Sequence, residues 1–183
     1  MPYLPPITKA LMLACVAAFC LNLFIPLDRW FALWPVMSGH FMPWQVVSYG
    51  FLHGDTFHLF FNMLGLWMFG AELEQLWGGR RFWQFLLASV LVAAITQLLI
   101  TFATGSPVPT VGASGALFGL LLAFGMLFPN RTVMPLFPPI PMKARNFVIL
   151  FGGIELLMGV WGGSGIAHFA HLGGMLGGWL MIR

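Results

Sequence analysis

Two glycine-rich stretches decide the fold of this chain: GASGALFG at residues 112–119 and AHLGGMLGG at residues 170–178. Each stands near the start of a long apolar run with the composition of a membrane-spanning helix. Glycines four residues apart leave one face of a helix bare, so that a second helix can approach it closely. The first stretch carries Ser114, a nucleophile type, and the second carries His171, a base type. We therefore expect the two helices to pack together with Ser114 near His171.

The composition indicates an integral membrane protein. Hydrophobic residues make up 60% of the 183 residues, and only 13 side chains, 8 basic and 5 acidic, are formally charged. A soluble domain of this length cannot cover its surface with so few charges. The net charge of +3 is too small for a nucleic-acid-binding face. We therefore expect a single membrane domain over residues 1–183, surrounded by the lipid bilayer and without a nucleic-acid partner.

Six apolar segments predict an all-α bundle of six transmembrane helices. Some are shorter than the ~20 residues of an isolated span, which helices packed in a bundle tolerate. The connection between helices 1 and 2 is rich in tryptophan and other aromatic residues, which favour the membrane–water interface, so this outer loop is expected to be partly membrane-embedded. The predicted helices cover residues 7–25, 56–71, 82–103, 111–128, 146–161 and 165–182.

The basic residues predict the orientation of this bundle. If the chain spans the membrane six times, Arg29 lies on one side of the membrane and the other seven basic residues lie on the opposite side. The side with the excess of lysine and arginine is expected to be cytoplasmic. Both termini are then cytoplasmic, and helices 2, 4 and 6 run from outside to inside. The basic residues on the cytoplasmic side are Lys9, Arg80, Arg81, Arg131, Lys143, Arg145 and Arg183.

Four polar side chains on these alternate helices lie at one depth. His58 and Asn62 (helix 2), Ser114 (helix 4) and His171 (helix 6) each stand within about two turns of an outer end, or roughly 10 Å at 1.5 Å per residue. A serine in a membrane helix often serves packing or bonds the backbone, and a buried histidine often bonds a carbonyl. Because all four side chains lie at one depth, we instead interpret them as a catalytic site, with Ser114 as nucleophile and His171 as general base.

The neighbouring polar residues leave alternatives open. His168 is the rival base, although its place nearer the outer end predicts a wetter side chain. His58 and Asn62 share one helix face, and with His53 they suit hydrogen bonding to a developing oxyanion, or else polar contacts between helices. Glu155, in the middle of helix 5, is expected to be protonated or bonded to a neighbouring helix, and a proton path remains open.

Other membrane hydrolase chemistries lack their residues. A zinc metalloprotease needs a His-Glu-x-x-His motif, which is absent. An aspartyl protease needs two aspartates inside the membrane, whereas Asp28 and Asp55 both fall in the first outer loop. Ala116 replaces the last glycine of a nucleophile elbow, and no strands are expected. We therefore expect neither a metal nor a cofactor.

These features together resemble the rhomboid intramembrane serine proteases of the minimal six-helix bacterial type. The resemblance runs from about Trp44 to the C-terminus, and it implies that the chain lies in the inner membrane of a bacterium. It is carried by FLHG at residues 51–54, HLFFNM at 58–63, the segment 70–78 around Glu74, and the two glycine-rich stretches. Two departures are Gln45 after Trp44, where arginine is frequent, and an aromatic residue without a hydroxyl one turn after the serine.

The resemblance implies a Ser–His dyad, in which Ser114 attacks and His171 accepts and returns the proton. It also implies that no carboxylate serves as a third member, and that His58, Asn62 and the backbone N–H of Ser114 stabilise the oxyanion. The residues expected to support this site are His53, Gly112, Gly115, Phe118 and His168.

The expected function is hydrolysis of peptide bonds in or near the outer end of transmembrane segments in single-span protein substrates. One alternative is a catalytically silent rhomboid-like protein that binds membrane helices. A less favoured one is a small proton-coupled transporter using Glu155, for which the inverted repeats typical of such proteins are not apparent in the sequence.

A topology measurement tests the predicted orientation. A reporter fused after Arg183 is expected to report the cytoplasm, and one inserted near Ser106 the outer side, because the lysine and arginine excess marks the cytoplasmic loops. An outer position for the C-terminal reporter would contradict the parity that places the four polar side chains at one depth.

Overall fold

The computed structural model describes residues 4–136, 139–162 and 167–182. The predicted start of the last helix at residue 165, and Arg183, lie outside the described residues. The α-helices within these ranges are α1 (Pro6–Asn22), α2 (Asp28–Phe31), α3 (Gln45–Ser48), α4 (Thr56–Gly65), α5 (Ala71–Trp77), α6 (Gly79–Thr104), α7 (Ser114–Leu127), α8 (Ala144–Trp161) and α9 (His168–Ile182).

The described chain is mostly helical, and each predicted segment overlaps a helix, although α1 ends at Asn22 rather than at residue 25. A π-helical turn, Leu66–Gly70, joins α4 to α5 without a break, so the second predicted helix extends to Trp77 rather than ending at residue 71. Helix α7 begins at Ser114, later than the predicted start at 111, because Gly112 has φ +128°, a left-handed conformation that interrupts a helix.

Short non-helical elements complete the described chain. Strands β1 (Thr132–Val133) and β2 (Met142–Lys143) form an antiparallel pair between α7 and α8, where no strand was expected. Two 3₁₀ turns, Val36–Ser38 and Tyr49–Phe51, belong to the outer loop. These elements are short, so they do not alter the helical character of the fold.

Two helices of the described chain, α6 and α8, have the length and composition needed to cross a membrane, while α1 and α7 are apolar but shorter. Large apolar side chains remain exposed along the helices, including Leu99 and Phe102 on α6 and Ile149 and Val160 on α8. Such a surface suits contact with lipid. The arrangement of six spans stays a prediction.

Helix α9 packs against α6 and α7 through two faces made of glycine. A Cβ atom built on Gly174 would overlap the carbonyl oxygen of Gly115 on α7, and one on Gly178 would lie 3.0 Å from the Cα atom of Gly119. On the other face, a Cβ atom on Gly177 would lie 2.8 Å from the carbonyl oxygen of Ala88 on α6. The predicted close contact of the two glycine-rich stretches is therefore confirmed.

Buried polar side chains tie the outer loop together and hold α1 against α5. The side chain of Gln45 accepts a hydrogen bond from the N–H of Trp34 and donates to the carbonyls of Trp30 and His40. Gln45 thus anchors the loop from within, at the position where the family resemblance suggested arginine. The carboxylate of Glu74 accepts from the N–H and hydroxyl of Thr8, which holds the start of α1.

A pair of glycine variants tests the contact between α7 and α9. Gly174→Ala is expected to lower the thermal unfolding midpoint strongly, because its methyl group meets rigid backbone, and overpacking of this kind costs about 1–3 kcal/mol or more. Gly153→Ala on exposed α8, where a Cβ atom meets nothing within 4 Å, is the matched control and should be neutral or slightly stabilising. Equal midpoints for the two variants would contradict the backbone contact.

Candidate active site

Ser114 is the first residue of α7, and its position follows from the turn before the helix. Gly112 supplies the left-handed backbone of that turn and donates its N–H to the carbonyl of Tyr49 at 2.9 Å. The Tyr49 hydroxyl in turn donates to the carbonyl of Val90 on α6. The first N–H groups of a helix have no acceptor within the helix. Those at the start of α7 can therefore donate to a group that lies before Ser114.

His171 lies one turn into α9 and faces Ser114. The Nε2 atom of its buried ring is 2.7 Å from the Oγ atom of Ser114. The ring of Phe118, one turn after Ser114 on α7, stacks on the imidazole with centroids 4.3 Å apart and planes within 7°. This stacking limits how far the imidazole can rotate, so Nε2 stays directed at the serine.

The structure places a carboxylate behind the histidine. The Oε2 atom of Glu155, on α8, lies 2.8 Å from Nδ1 of His171. The expectation that no carboxylate accompanies Ser114 and His171 is therefore wrong. The sequence analysis singled out Glu155 but did not place it beside His171, because α8 carries no motif that predicts which of its faces turns towards α9. The available signal was a lone acidic residue in the middle of an apolar helix, which requires a partner.

His168 also departs from its prediction. It is buried rather than wet, and its Nδ1 atom lies 2.7 Å from the same Oε2 atom of Glu155. It therefore contacts the carboxylate and is not the residue bonded to Ser114. For Glu155, the structure shows the bond to a neighbouring helix, which was one of the expected alternatives.

Glu155, His168 and His171 are also the side chains, among those that the structure describes, with the spacing of a metal site. Their potential ligand atoms all lie within 4.8 Å of one another. Both histidines already use Nδ1 towards the carboxylate, so a metal ion at this point would replace those two hydrogen bonds. The expectation of a metal-free protein stays a prediction.

His58 and Asn62 lie on α4, on the other side of Ser114. A Cβ atom at Gly112 would be 2.7 Å from Nε2 of His58 and 3.4 Å from Oγ of Ser114, so the histidine ring ends beside the serine. Asp55 caps α4 by accepting the N–H of His58. The amide of buried Asn62 donates to the carbonyl of His58 at 3.0 Å. The interaction with Asp55 fixes the first turn of the helix.

One cavity of about 820 Å³ is lined by the side chains of His58, Asn62, Ser114 and His171. Phe57 and Phe61 form part of its wall, with the loop that precedes α7, so the cavity combines apolar surface with a few polar groups. Gly115 does not reach it, because this glycine faces α6 and α9 instead. The cavity is large enough to hold a short extended piece of polypeptide next to Ser114.

His53 lies behind His58, between the second 3₁₀ turn and α4. Its buried ring meets that of His58 edge-on, with centroids 5.0 Å apart. Neither ring nitrogen of His53 has a hydrogen-bond partner among the described residues. Burial lowers the pKa of His53 to about 4, and the neighbouring His58 adds to this effect, while Asp55 and the backbone of Phe51 oppose it only in part. A neutral His53 supports the ring of His58.

Known proteins resemble this chain over most of its length. The family described as "Rhomboid domain" matches residues 40–183. Rhomboid protein 1, mitochondrial, of Saccharomyces cerevisiae is 31% identical over 152 residues, covering 76% of this chain and 42% of the relative. Rhomboid protease GlpG of Yersinia pestis is 28% identical over 186 residues, covering 96% and 61%. Rhomboid protease GluP of Bacillus subtilis is 34% identical over 135 residues, covering 74% and 24%. This chain thus spans less than two thirds of each relative.

The buried His53 predicts a particular dependence of stability on pH. In the unfolded chain a histidine takes up a proton near pH ~6.5, whereas folded His53 stays neutral down to about pH 4. The unfolded state therefore binds more protons between these values, and acidification favours unfolding. His53→Gln is expected to flatten the fall of the thermal midpoint between about pH 7 and pH 4.5. His40→Gln, in the exposed part of the loop, controls for loss of a histidine, and parallel curves for wild type and His53→Gln would contradict the shift.

Proposed function

The chain belongs to the rhomboid family, and on that premise we propose that it is an intramembrane serine endopeptidase. As a member of this family it is an integral membrane protein. The observation that carries the proposal is the 2.7 Å contact between Oγ of Ser114 and Nε2 of His171 at the wall of a large cavity. A nucleophile within hydrogen-bond reach of an oriented base is the arrangement that acyl transfer requires.

In the first proposed step, Ser114 attacks the carbonyl carbon of a substrate peptide bond. Its Oγ–H proton passes to Nε2 of His171 as the bond from Oγ to carbon forms. The tetrahedral intermediate then collapses, the carbon–nitrogen bond breaks, and His171 returns the proton to the leaving amine. Water repeats the sequence on the acyl-enzyme, which releases the second product and restores Ser114.

The oxyanion of the intermediate is proposed to be stabilised by His58, Asn62 and the backbone N–H of Ser114. His58 ends beside Ser114, and the N–H lies at the start of α7, where helix donors lack acceptors. The amide nitrogen of Asn62 carries two hydrogens, and its bond to the carbonyl of His58 uses one of them. Where a single donor of this kind has been removed, catalysis fell by about 10²–10³.

The proposed substrates are single-span membrane proteins, cut in or near the outer end of the transmembrane segment. In an intact helix the scissile carbonyl is bonded within the backbone, so the segment must unwind before Ser114 can reach it. Glycine or proline in the substrate lowers this cost by about 1 kcal/mol or more per residue. The rings of His58 and Phe118 line the cavity next to Ser114, which favours small side chains at the cut.

The orientation predicted from the basic residues completes the proposal. With both termini in the cytoplasm of a bacterial cell and the chain in the inner membrane, the cavity opens towards the outer side, because α7 and α9 both begin there. The pairing of Ser114 with His171 argues against a catalytically silent helix-binding protein, in which neither residue would need the other. No cofactor is required by the proposed steps.

Removal of the serine hydroxyl tests the proposal. Ser114→Ala is expected to abolish labelling by a fluorophosphonate probe and to reduce cleavage of a reconstituted single-span substrate to background, because the nucleophile is lost. Ser48→Ala, in the outer loop, is the matched control and should label and cleave as wild type does. Comparable cleavage by folded Ser114→Ala would show that the serine-protease proposal is wrong.

A further inference from the structure

We infer that Glu155 is a positioning residue of the proposed reaction, which it serves by holding His171 in the one tautomer that can accept a proton from Ser114. The inference rests on the proposed function. It adds a third member, supplied by α8, to the pair formed by α7 and α9. His168 is assigned a supporting role, because it binds the same carboxylate oxygen from a second side.

The first argument comes from the tautomers of imidazole. A neutral ring carries one hydrogen, on Nδ1 or on Nε2. The carboxylate oxygen of Glu155 lies 2.8 Å from Nδ1 of His171 and is an acceptor, so this contact favours the hydrogen on Nδ1. The lone pair of Nε2 then points at Oγ of Ser114, 2.7 Å away, and can take its proton. Without an acceptor behind the ring, the hydrogen can occupy Nε2, and His171 then cannot act as a base.

The second argument concerns the charge that the reaction creates. When Nε2 takes the proton, His171 becomes an imidazolium in a buried site, and an unpaired buried charge is costly. The carboxylate of Glu155 lies directly behind that ring, where the low dielectric strengthens its attraction for the positive charge. The stabilisation grows as the proton moves, so it acts on the transition state more than on the bound substrate.

The third argument explains how the carboxylate is itself held. Oε2 has two lone pairs and accepts from Nδ1 of His168 at 2.7 Å as well as from His171. The two histidine rings stand nearly perpendicular, with an angle of 88° between their planes. The carboxylate is thus bonded from two directions by side chains of α9, one helical turn apart. Because the contact to Ser114 is made by His171, His168 is inferred to act through Glu155.

A buried glutamate could instead serve only to join helices, and this chain contains a residue that does so. Glu74 is also buried, but its carboxylate accepts from the backbone and hydroxyl at the start of α1. It binds no side chain of the cavity. A Glu→Gln change at the two positions therefore separates a positioning role from a purely structural one.

The decisive experiment compares Glu155→Gln with Glu74→Gln in the full chain. It measures the rate of fluorophosphonate labelling, kcat and KM on a reconstituted single-span substrate, and the thermal midpoint. We expect Glu155→Gln to lower the labelling rate and kcat by at least about tenfold, with about 10⁴-fold as the upper bound known from soluble triad proteases, and to leave KM within about twofold. Glu74→Gln should lower the midpoint while the rate per folded molecule is unchanged.

Two further variants keep the test decisive if Glu155→Gln folds poorly. Glu155→Asp retains a carboxylate on a shorter side chain and should recover part of the lost kcat. His168→Gln should lower kcat less than Glu155→Gln does, and adding it to Glu155→Gln should cause little further loss, because His168 acts through the carboxylate.

The outcomes distinguish this inference from the proposed function. Labelling of wild type at Ser114 supports the proposed function whatever happens at Glu155. A wild-type labelling rate and kcat per folded molecule in Glu155→Gln, with or without a lower midpoint, would overturn the positioning role and leave the glutamate as a structural contact. Independent, multiplicative losses from the Glu155 and His168 changes would overturn the assignment of His168.

Discussion

The close approach of α7 and α9 is the constraint on which the rest of the structure depends. Gly115 and Gly119 meet Gly174 and Gly178 with no side chains between them, so the two backbones touch. In a bilayer, helices gain little by burying apolar surface against each other, because the lipid tails are equally apolar. Close packing of this kind therefore supplies the attraction between them. Ser114 and His171 begin the two touching segments. A hydrogen bond of 2.7 Å between them is possible because the backbones are so close.

Polar side chains hold the remaining parts of the protein in place, and each of three buried examples is satisfied by hydrogen bonds. Glu74 holds α1, Gln45 holds the outer loop, and Glu155 joins α8 to α9. A polar group buried in an apolar bundle is costly when it has no partner, so each of these groups favours one arrangement of its segment over others. The bundle therefore obtains its specificity from a few polar contacts and its close packing from glycine and alanine.

The site itself lies where regular structure begins. Gly112 takes a left-handed backbone next to His58, and α7 starts two residues later at Ser114. A serine inside a continuous helix would have its N–H bonded to the preceding turn, whereas the first residue of a helix keeps that donor available. Because Gly112 has no side chain, the ring of His58 can lie beside the serine. Residues 112–114 thus place the proposed nucleophile, one of its proposed oxyanion donors and the opening of the cavity.

The helical class can be predicted from the amino-acid sequence alone, as can the approximate positions of the long helices and the approach of Ser114 to His171. These features depend on local apolar runs and on glycine spacing, which can be recognised directly in a single sequence. Three other features became visible only in the folded protein: Glu155 lies behind His171, His168 is buried, and Gln45 ties the outer loop together. Each of these depends on the rotation of one segment relative to another. An apolar helix without a polar face carries no periodicity that fixes this rotation, so it is set by the packing of the whole bundle.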